Sequence, residues 1–210
     1  HRAEPDCHLA LIDGVTLHPD GVELHVLGDE SAKGICGSGL LDLVAELVRL
    51  QVIDETGRLR SPGEIASSGM PGLAGHVMET DQQIVFRLTH GPHIIDFTQK
   101  DIRQVQLAKA AIRAAIDICC AYAEVSPDDL DEVLLAGAFG TYIRKESALR
   151  VGLLPSVPPF RIRSLGNAAG AGAVLALTSE TARIDFIELT RKAEHIDLGS
   201  ELAFQERFVE

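Results

Sequence analysis

Two stretches of this sequence bear on chemistry through backbone groups, not reactive side chains. In the first, Val133-Leu134-Leu135 is a short apolar run that breaks at once into Ala136-Gly137-Ala138-Phe139-Gly140. The run reads as a buried strand. Gly137 and Gly140 let the main chain turn sharply and approach something bulky with no Cβ in the way. In open α/β sheets, ligands sit beyond the carboxyl ends of strands, so this break is a natural ligand position. A tight strand-to-helix turn without a ligand explains this stretch equally well. In the second stretch, Gly34-Ile35-Cys36-Gly37-Ser38-Gly39 runs straight into Leu40 to Val48, whose apolar spacing is helical. Ser38 is the expected N-cap. A glycine-rich loop at a helix start offers unpaired N–H groups and the positive end of the dipole, so Gly37, Ser38 and Gly39 are candidates for holding an anion. No Gly-Lys-Ser/Thr closes the loop, which excludes a Walker A motif. Simple helix-entry packing is the rival explanation.

Side-chain candidates are fewer. The cysteines are Cys7, Cys36, Cys119 and Cys120, with no C-x-x-C among them. The vicinal pair falls in a helical pattern, where cysteine behaves as a small hydrophobe. An iron–sulfur cluster held by this chain is not expected, and reduced thiols suit a cytoplasmic protein. His90 and His93 lack a nearby third ligand and read as turn imidazoles, so no metal site is expected. Asp13, in Leu11-Ile12-Asp13-Gly14, could mimic the end of a phosphate-binding strand, but the simpler reading is a turn residue.

The elements that must position these groups follow from pattern. Leu9–Ile12 and Val22–Leu27 read as strands around the turn Leu17-His18-Pro19-Asp20-Gly21. Residues 51–82 are polar and rich in Gly and Pro, with Ser61-Pro62-Gly63 and Gly69-Met70-Pro71-Gly72 as breakers, and read as a surface excursion. Ile84–Leu88 and His93–Phe97 form a second hairpin through Thr89-His90-Gly91-Pro92. Thr98 and Asp101 resemble a capping box for a helix to about Glu124, with Ile102, Val105, Ile112, Ile116 and Cys119 on one side. Its polar stripe is Gln106, Lys109, Arg113 and Asp117. The plain reading is a solvated stripe with an Arg113–Asp117 pair; the functional one turns Gln106 and Lys109 toward a nucleotide. A helix follows through Glu146–Leu149. Phe160–Arg163 reads as an edge strand, Gly166 to Ala173 as the opening of a small-residue helix, and Ile184–Ala193 as a last helix, with Phe204 and Phe208 anchoring the end.

Composition bounds the function. The 210 residues are 46% hydrophobic and 4% aromatic, which suits a layered α/β protein. A net charge of −12 argues against nucleic acid as the main partner. No apolar run is long enough to span a bilayer. The sequence starts at His1 without an initiating Met, so a piece of a longer protein is expected.

The order of these segments resembles the second half of an actin-like ATPase domain, of the ribonuclease H-like fold. That fold is shared by the acetate and sugar kinase, heat-shock chaperone and actin superfamily. The adenosine motif of that superfamily is similar to Val133–Gly140, and its second connecting helix to Gly166–Ala173. Gly34–Asp42, Thr98–Lys109, and Ile196-Asp197-Leu198 before Phe204–Phe208 narrow the resemblance to the reductive activators of corrinoid proteins. It covers nearly the whole chain.

That resemblance implies an α/β fold, a mixed sheet flanked by helices, with residues 1–210 the C-terminal part of one actin-like ATPase domain. It implies ATP with Mg²⁺ in the parent protein, a 2Fe–2S cluster only in a separate N-terminal domain, and a corrinoid methyl-transfer protein as partner. The family couples ATP use to one-electron reduction of Co(II) corrinoid to Co(I). Gly137, Ala138, Phe139, Gly140, Gly37, Ser38, Gly39, Gln106, Lys109 and Asn167 are the nucleotide-binding residues it implies, with Gly137 and Gly140 sharing a concavity with Gln106 and Lys109. No catalytic residue is assigned. The family's cluster cysteines and its Asp-Ile-Gly-Thr-type phosphate loop have no counterpart here, so the chain alone is expected not to hydrolyse ATP. A sugar or acyl phosphotransferase of the same fold, and a non-catalytic docking or dimerisation module, are the alternatives. The oligomeric state, a homodimer included, is left open.

Overall fold

Strand and helix starts follow local chemistry closely, and the chain divides into two units. The computed structural model describes residues 10–28, 31–80, 83–90 and 92–209, without the side chains of His90, Ala138, Phe139 and Val209. Cys7, Leu9, Gln82, Gly91 and the imidazole of His90 therefore lie outside the described residues.

The first unit holds residues 1–109 and 146–153. Strand β1 (Leu11–His18) pairs antiparallel with β2 (Gly21–Val26) and parallel with β3 (Gly34–Ile35). The expected turn is confined to Pro19 and Asp20, and β1 runs six residues past Ile12. Asp13 is accordingly a bulge inside β1 and not a turn residue, because the register slips between Ile12 and Gly14. The extra residue explains a burial pattern that simple alternation misses. Ile12, Val15 and Leu17 are all buried, although Ile12 and Val15 are three apart and a regular strand would put them on opposite faces.

Helix α1 (Gly37–Arg49) lies on this sheet. Its N-cap is Cys36, in extended backbone, and not Ser38, which is buried in the first turn. Residues 51–82 are no mere surface excursion. Val52, Ile53, Leu59, Ile65, Leu73 and Val77 all enter the core that β1 and α1 begin. Ser61-Pro62 starts a helix: Ser61 and Glu64 form a reciprocal capping box at the head of α2 (Pro62–Ser67), and Pro sits where its missing N–H costs nothing. Pro71 likewise opens α3 (Pro71–Ala74). Strands β4 (Val77–Glu79), β5 (Ile84–His90) and β6 (Ile94–Thr98) form an antiparallel sheet that adds Phe86, Leu88 and Phe97 to the core.

Helix α4 (Gln99–Tyr122) begins in this unit and continues into the second. Its cap is the expected box: Asp101 Oδ2 accepts from the Thr98 N–H and hydroxyl, and Thr98 Oγ1 accepts from the Asp101 N–H. The buried residues are Ile102, Ala114, Ile118 and Cys120, whereas Ile112 and Cys119 are exposed, so the apolar side is narrower than the periodicity suggests. Arg113 and Asp117 make the expected pair at 3.0 Å.

The second unit holds residues 110–145 and 154–210. Strand β7 (Val133–Ala136) pairs parallel with β8 (Ile162–Gly166), preceded by a 3₁₀ turn at Pro159–Arg161 where the edge strand was expected to begin. The strand at Val133–Leu135 is not fully buried: Val133 and Leu135 are half-buried, and Leu134, on the opposite face of the two-stranded sheet, is 50% exposed. Helices α5 (Gly137–Tyr142), α7 (Ala168–Thr178), α8 (Glu180–Lys192) and α9 (Leu202–Val209) complete the unit, and α6 (Lys145–Arg150) returns the chain to the first. In α9, Phe204 stacks on Phe208 at 6.0 Å.

Candidate functional site

The candidate residues fall in three places, two in the first unit and one in the second.

At the start of α1, Cys36 donates its N–H to Ile12 O at 2.9 Å, which ties the helix entrance to β1. Gly39 makes that approach possible, since a Cβ there would stand 2.4 Å from the Ile12 carbonyl oxygen. Gly37, Ser38 and Gly39 thus form the first turn of a thirteen-residue helix, whose leading N–H groups have no carbonyl within the helix to reach. The Ser38 hydroxyl lies 3.1 Å from Cys36 Sγ. One turn further, Asp42 is 2% exposed and accepts a 2.6 Å hydrogen bond from the buried Ser147 hydroxyl of α6. Asp13 pairs with His25 of β2 at 2.5 Å. The sequence offered no signal for the Asp42–Ser147 contact, because its partners are 105 positions apart.

Deeper in α1 a second carboxylate is tightly held. Glu46 accepts from the Leu17 N–H at 3.0 Å, from Arg49 Nη2 at 2.6 Å and Nε at 3.0 Å, and from Arg150 Nη1 at 3.3 Å. Burial alone would push its carboxyl up, but the Arg49 guanidinium, the Leu17 amide and the Arg150 charge together hold it below the ordinary range. The cluster ties α1 to β1 and α6 around the glycine-rich entrance.

The second place is the N-terminal half of α4. Gln106 and Lys109 are both half-buried, but they meet different partners. Gln106 lies against Gly57, whose ideal Cβ would fall 2.1 Å from Gln106 Nε2. The end of the Lys109 chain lies beside Gly152, with its Cε 3.3 Å from the position a Cβ would take. Gln106 borders a pocket of about 420 Å³ lined also by Thr56, Arg58, Gln99, Lys100, Arg103 and Gln104. Arg58 is spent on carboxylates. The Thr56 hydroxyl and neighbouring amides bring Asp54 down to about 2, and Arg58 itself brings Glu64 down to about 2. Sequence reasoning missed this loop because it took residues 51–82 to lie apart from the core.

The third place is the carboxyl end of the β7–β8 pair. Ala136 is registered with Gly166, so the two parallel strands end side by side. One breaks into α5 at Gly137 and the other into α7 after Asn167, which brings Gly137 and Asn167 to the same end of the same sheet. Gly137 has φ +87, a left-handed backbone with open space where a side chain would go. Gly140 is confined, since its Cβ would meet the Leu135 main chain at 2.9 Å. Asn167 caps α7 by accepting the Gly170 N–H at 2.9 Å, so its visible role is structural. Ala138 and Phe139 occupy the first turn of α5, and their side chains lie outside the described residues.

Among the described residues no three His, Cys, Asp or Glu side chains converge as a metal would require. The open left-handed turn at Gly137 is compatible with a nucleotide.

Comparison with known proteins bears on what occupies these places. Residues 7–210 match the family model described as the C-terminal domain of RACo, the ASKHA domain. The corrinoid activation enzyme RamQ of Eubacterium limosum is 36% identical over 191 residues, 88% of this chain and 32% of that protein. The [Co(II) methylated amine-specific corrinoid protein] reductase of Methanosarcina barkeri is 30% identical over 120 residues, 56% of this chain and 22% of the reductase. A solved reductive activator for corrinoid, iron–sulfur protein superposes with a TM-score of 0.80 at 29% identity, covering 95% of this chain and 32% of its own. The chain spans about a third or less of the length of each of these relatives.

Proposed function

The chain belongs to the family of the C-terminal ASKHA domain of RACo, and from that premise we propose that it is the nucleotide-binding part of an ATP-dependent reductive activator of a corrinoid protein. The observation that carries this reading is the β7–β8 end, where two parallel strands stop side by side, after a register slip between Leu135 and Ala136, and each turns into a helix. Both strand ends carry a left-handed glycine with open space beside it, Gly137 at φ +87 and Gly166 at φ +62, at the carboxyl ends of strands where α/β sheets bind ligands.

In this reading Gly137 gives the adenosine side of the nucleotide room, and Gly140 lets α5 close on the Leu135 main chain. Gly37, Ser38 and Gly39 present N–H groups to phosphate. Gln106 and Lys109 supply an amide donor and a positive charge, and Asn167 holds the α7 entrance. The redox step is one electron from a low-potential donor to Co(II), giving Co(I). In this reading the chain is not itself the electron carrier. The domain contributes differential affinity: if ATP favours the conformation that holds the corrinoid protein in its reducible state, nucleotide binding shifts the equilibrium by the difference between the two affinities. Magnesium would supply charge neutralisation at the phosphates in the full-length protein. A cytoplasmic location fits this chemistry, and no helix among the described residues is long and apolar enough to cross a membrane.

Calorimetry with ADP and ATP on the full-length protein tests the reading. Binding that is weakened at least tenfold by Gly137→Val supports it. Unchanged affinity in a folded variant refutes the placement of adenosine at this turn.

A further inference from the structure

The two units differ in how much core they hold. The hydrophobic cluster that runs from Ile12 to Ile102 lies entirely in the first. Among the described residues of the second, the buried apolar side chains are Ala114, Ile118, Cys120, Leu154, Val157 and Ile162. None of them comes from α7 or α8. Ten of the eleven residues of α7 are Ala, Gly, Val or Leu, and none is buried. A helix at the surface of a finished globule keeps a polar face, whereas one that is apolar all round belongs in an interior. On α7, Val174, Leu175 and Leu177 are each more than half exposed, Leu177 at 83%. Helix α8 packs on α7 and carries Ile184, Ile187 and Leu189, again each more than half exposed. Single apolar residues on a surface are ordinary, but six large ones on two adjoining helices mark an interaction surface.

The relatives point to what covers it. Each carries about two thirds or more of its length outside the matched stretch, and the matching family model is that of a C-terminal domain. A segment of the same polypeptide meets the face at high effective concentration, with no assembly step. A second copy would instead bring a net charge of −12 against an equal one. We propose that α7 and α8 form an interdomain interface: in the full-length protein Val174, Leu175, Leu177, Ile184, Ile187 and Leu189 are covered by apolar side chains of the polypeptide that precedes this stretch. The inference is independent of where the nucleotide binds.

The test uses the full-length protein. Leu177→Cys is exposed to a maleimide, in native buffer and in urea, and labelling at position 177 is read by peptide mass spectrometry. Labelling should be at least about tenfold slower in the native protein, because it then waits on local opening of the interface. Separately, isotopically light and heavy protein carrying photo-leucine, which is close to leucine in size and shape, are mixed, irradiated and digested. Links from Leu175, Leu177 or Leu189 to peptides that precede the stretch, light to light and heavy to heavy, are the expected result. Light-to-heavy links from these leucines place a second copy on the face and overturn the proposal. Links confined to residues 1–210, or no links to the preceding polypeptide, overturn it as well. A native labelling rate equal to that in urea does the same, since the face is then open to solvent. Should Leu177→Cys fail to fold, Leu189→Cys and the photo-leucine links, which need no substitution, carry the same comparison.

Discussion

Replacing Glu46 by alanine should destabilise the first unit by about 2–5 kcal/mol. The Glu46 side chain is 9% exposed and satisfies three partners from three elements. Removing it strands the Leu17 N–H inside β1, at a cost of about 1–3 kcal/mol for an unsatisfied buried donor. Arg49 and Arg150 are 37% and 35% exposed, so solvent screens their loss to about 0.5–1 kcal/mol each. Glu46→Gln keeps an acceptor for Leu17 and loses only charge, so it should cost about 1–2 kcal/mol. The pH dependence separates these terms. The folded carboxyl is held below its ordinary value near 4.5. Its charge therefore stabilises the fold above the unfolded value, and that stability is lost as pH falls through the lower folded value. Urea unfolding followed by far-ultraviolet circular dichroism from pH 7 down to pH 3 should show wild type and Glu46→Gln converging at the acid end. A Glu46→Ala cost under about 0.5 kcal/mol, or a wild-type advantage over Glu46→Gln that does not shrink with acid, would refute the reasoning.

Two other substitutions or modifications probe separate parts of the account. Gly39→Ala places a methyl group 2.4 Å from the Ile12 carbonyl oxygen, so α1 must shift off β1. Thermal melting should show a loss of at least about 2 kcal/mol, and a neutral result would mean that the helix entrance is not held where the Cys36–Ile12 bond puts it. Cys119 is exposed while Cys120 is 8% exposed, with burial and then the Asp117 charge pushing its thiol up. Brief alkylation at pH 7.5 followed by peptide mass spectrometry should label Cys119 well ahead of Cys120; equal labelling would contradict the packing of α4.

The parts of the fold that the sequence made legible are those fixed by neighbouring residues. Thr98 with Asp101 caps α4 as their spacing indicates, and the second hairpin forms as expected, although Thr89 and His90, read as turn residues, extend β5 and pair with Ile95 and Ile94. What escaped depends on residues distant in the chain or on breaks in periodicity. The bulge at Asp13 cannot be seen from a pattern that assumes alternation. The Ser61–Glu64 box was hidden among glycines and prolines that look like loop chemistry, although the reciprocal bonds make it a helix start. Apolar content predicts a buried Val133–Leu135, but burial depends on what packs on each face of the sheet, and the face that carries Leu134 is exposed. At the candidate site, glycine spacing pointed to Gly137 and Gly39, while the hydrogen bond from Gln99 Nε2 to the Gly57 carbonyl links positions 42 apart and left no local trace.

The central claim is tested most directly by following the corrinoid itself. The full-length protein is mixed with a corrinoid protein poised at Co(II) and a low-potential one-electron donor, and the absorption spectrum is recorded with and without ATP. The account predicts Co(I) formation that depends on ATP and falls at least tenfold in Gly137→Val, with the variant still folded. Co(I) appearing equally without ATP, or undiminished in Gly137→Val, would contradict it.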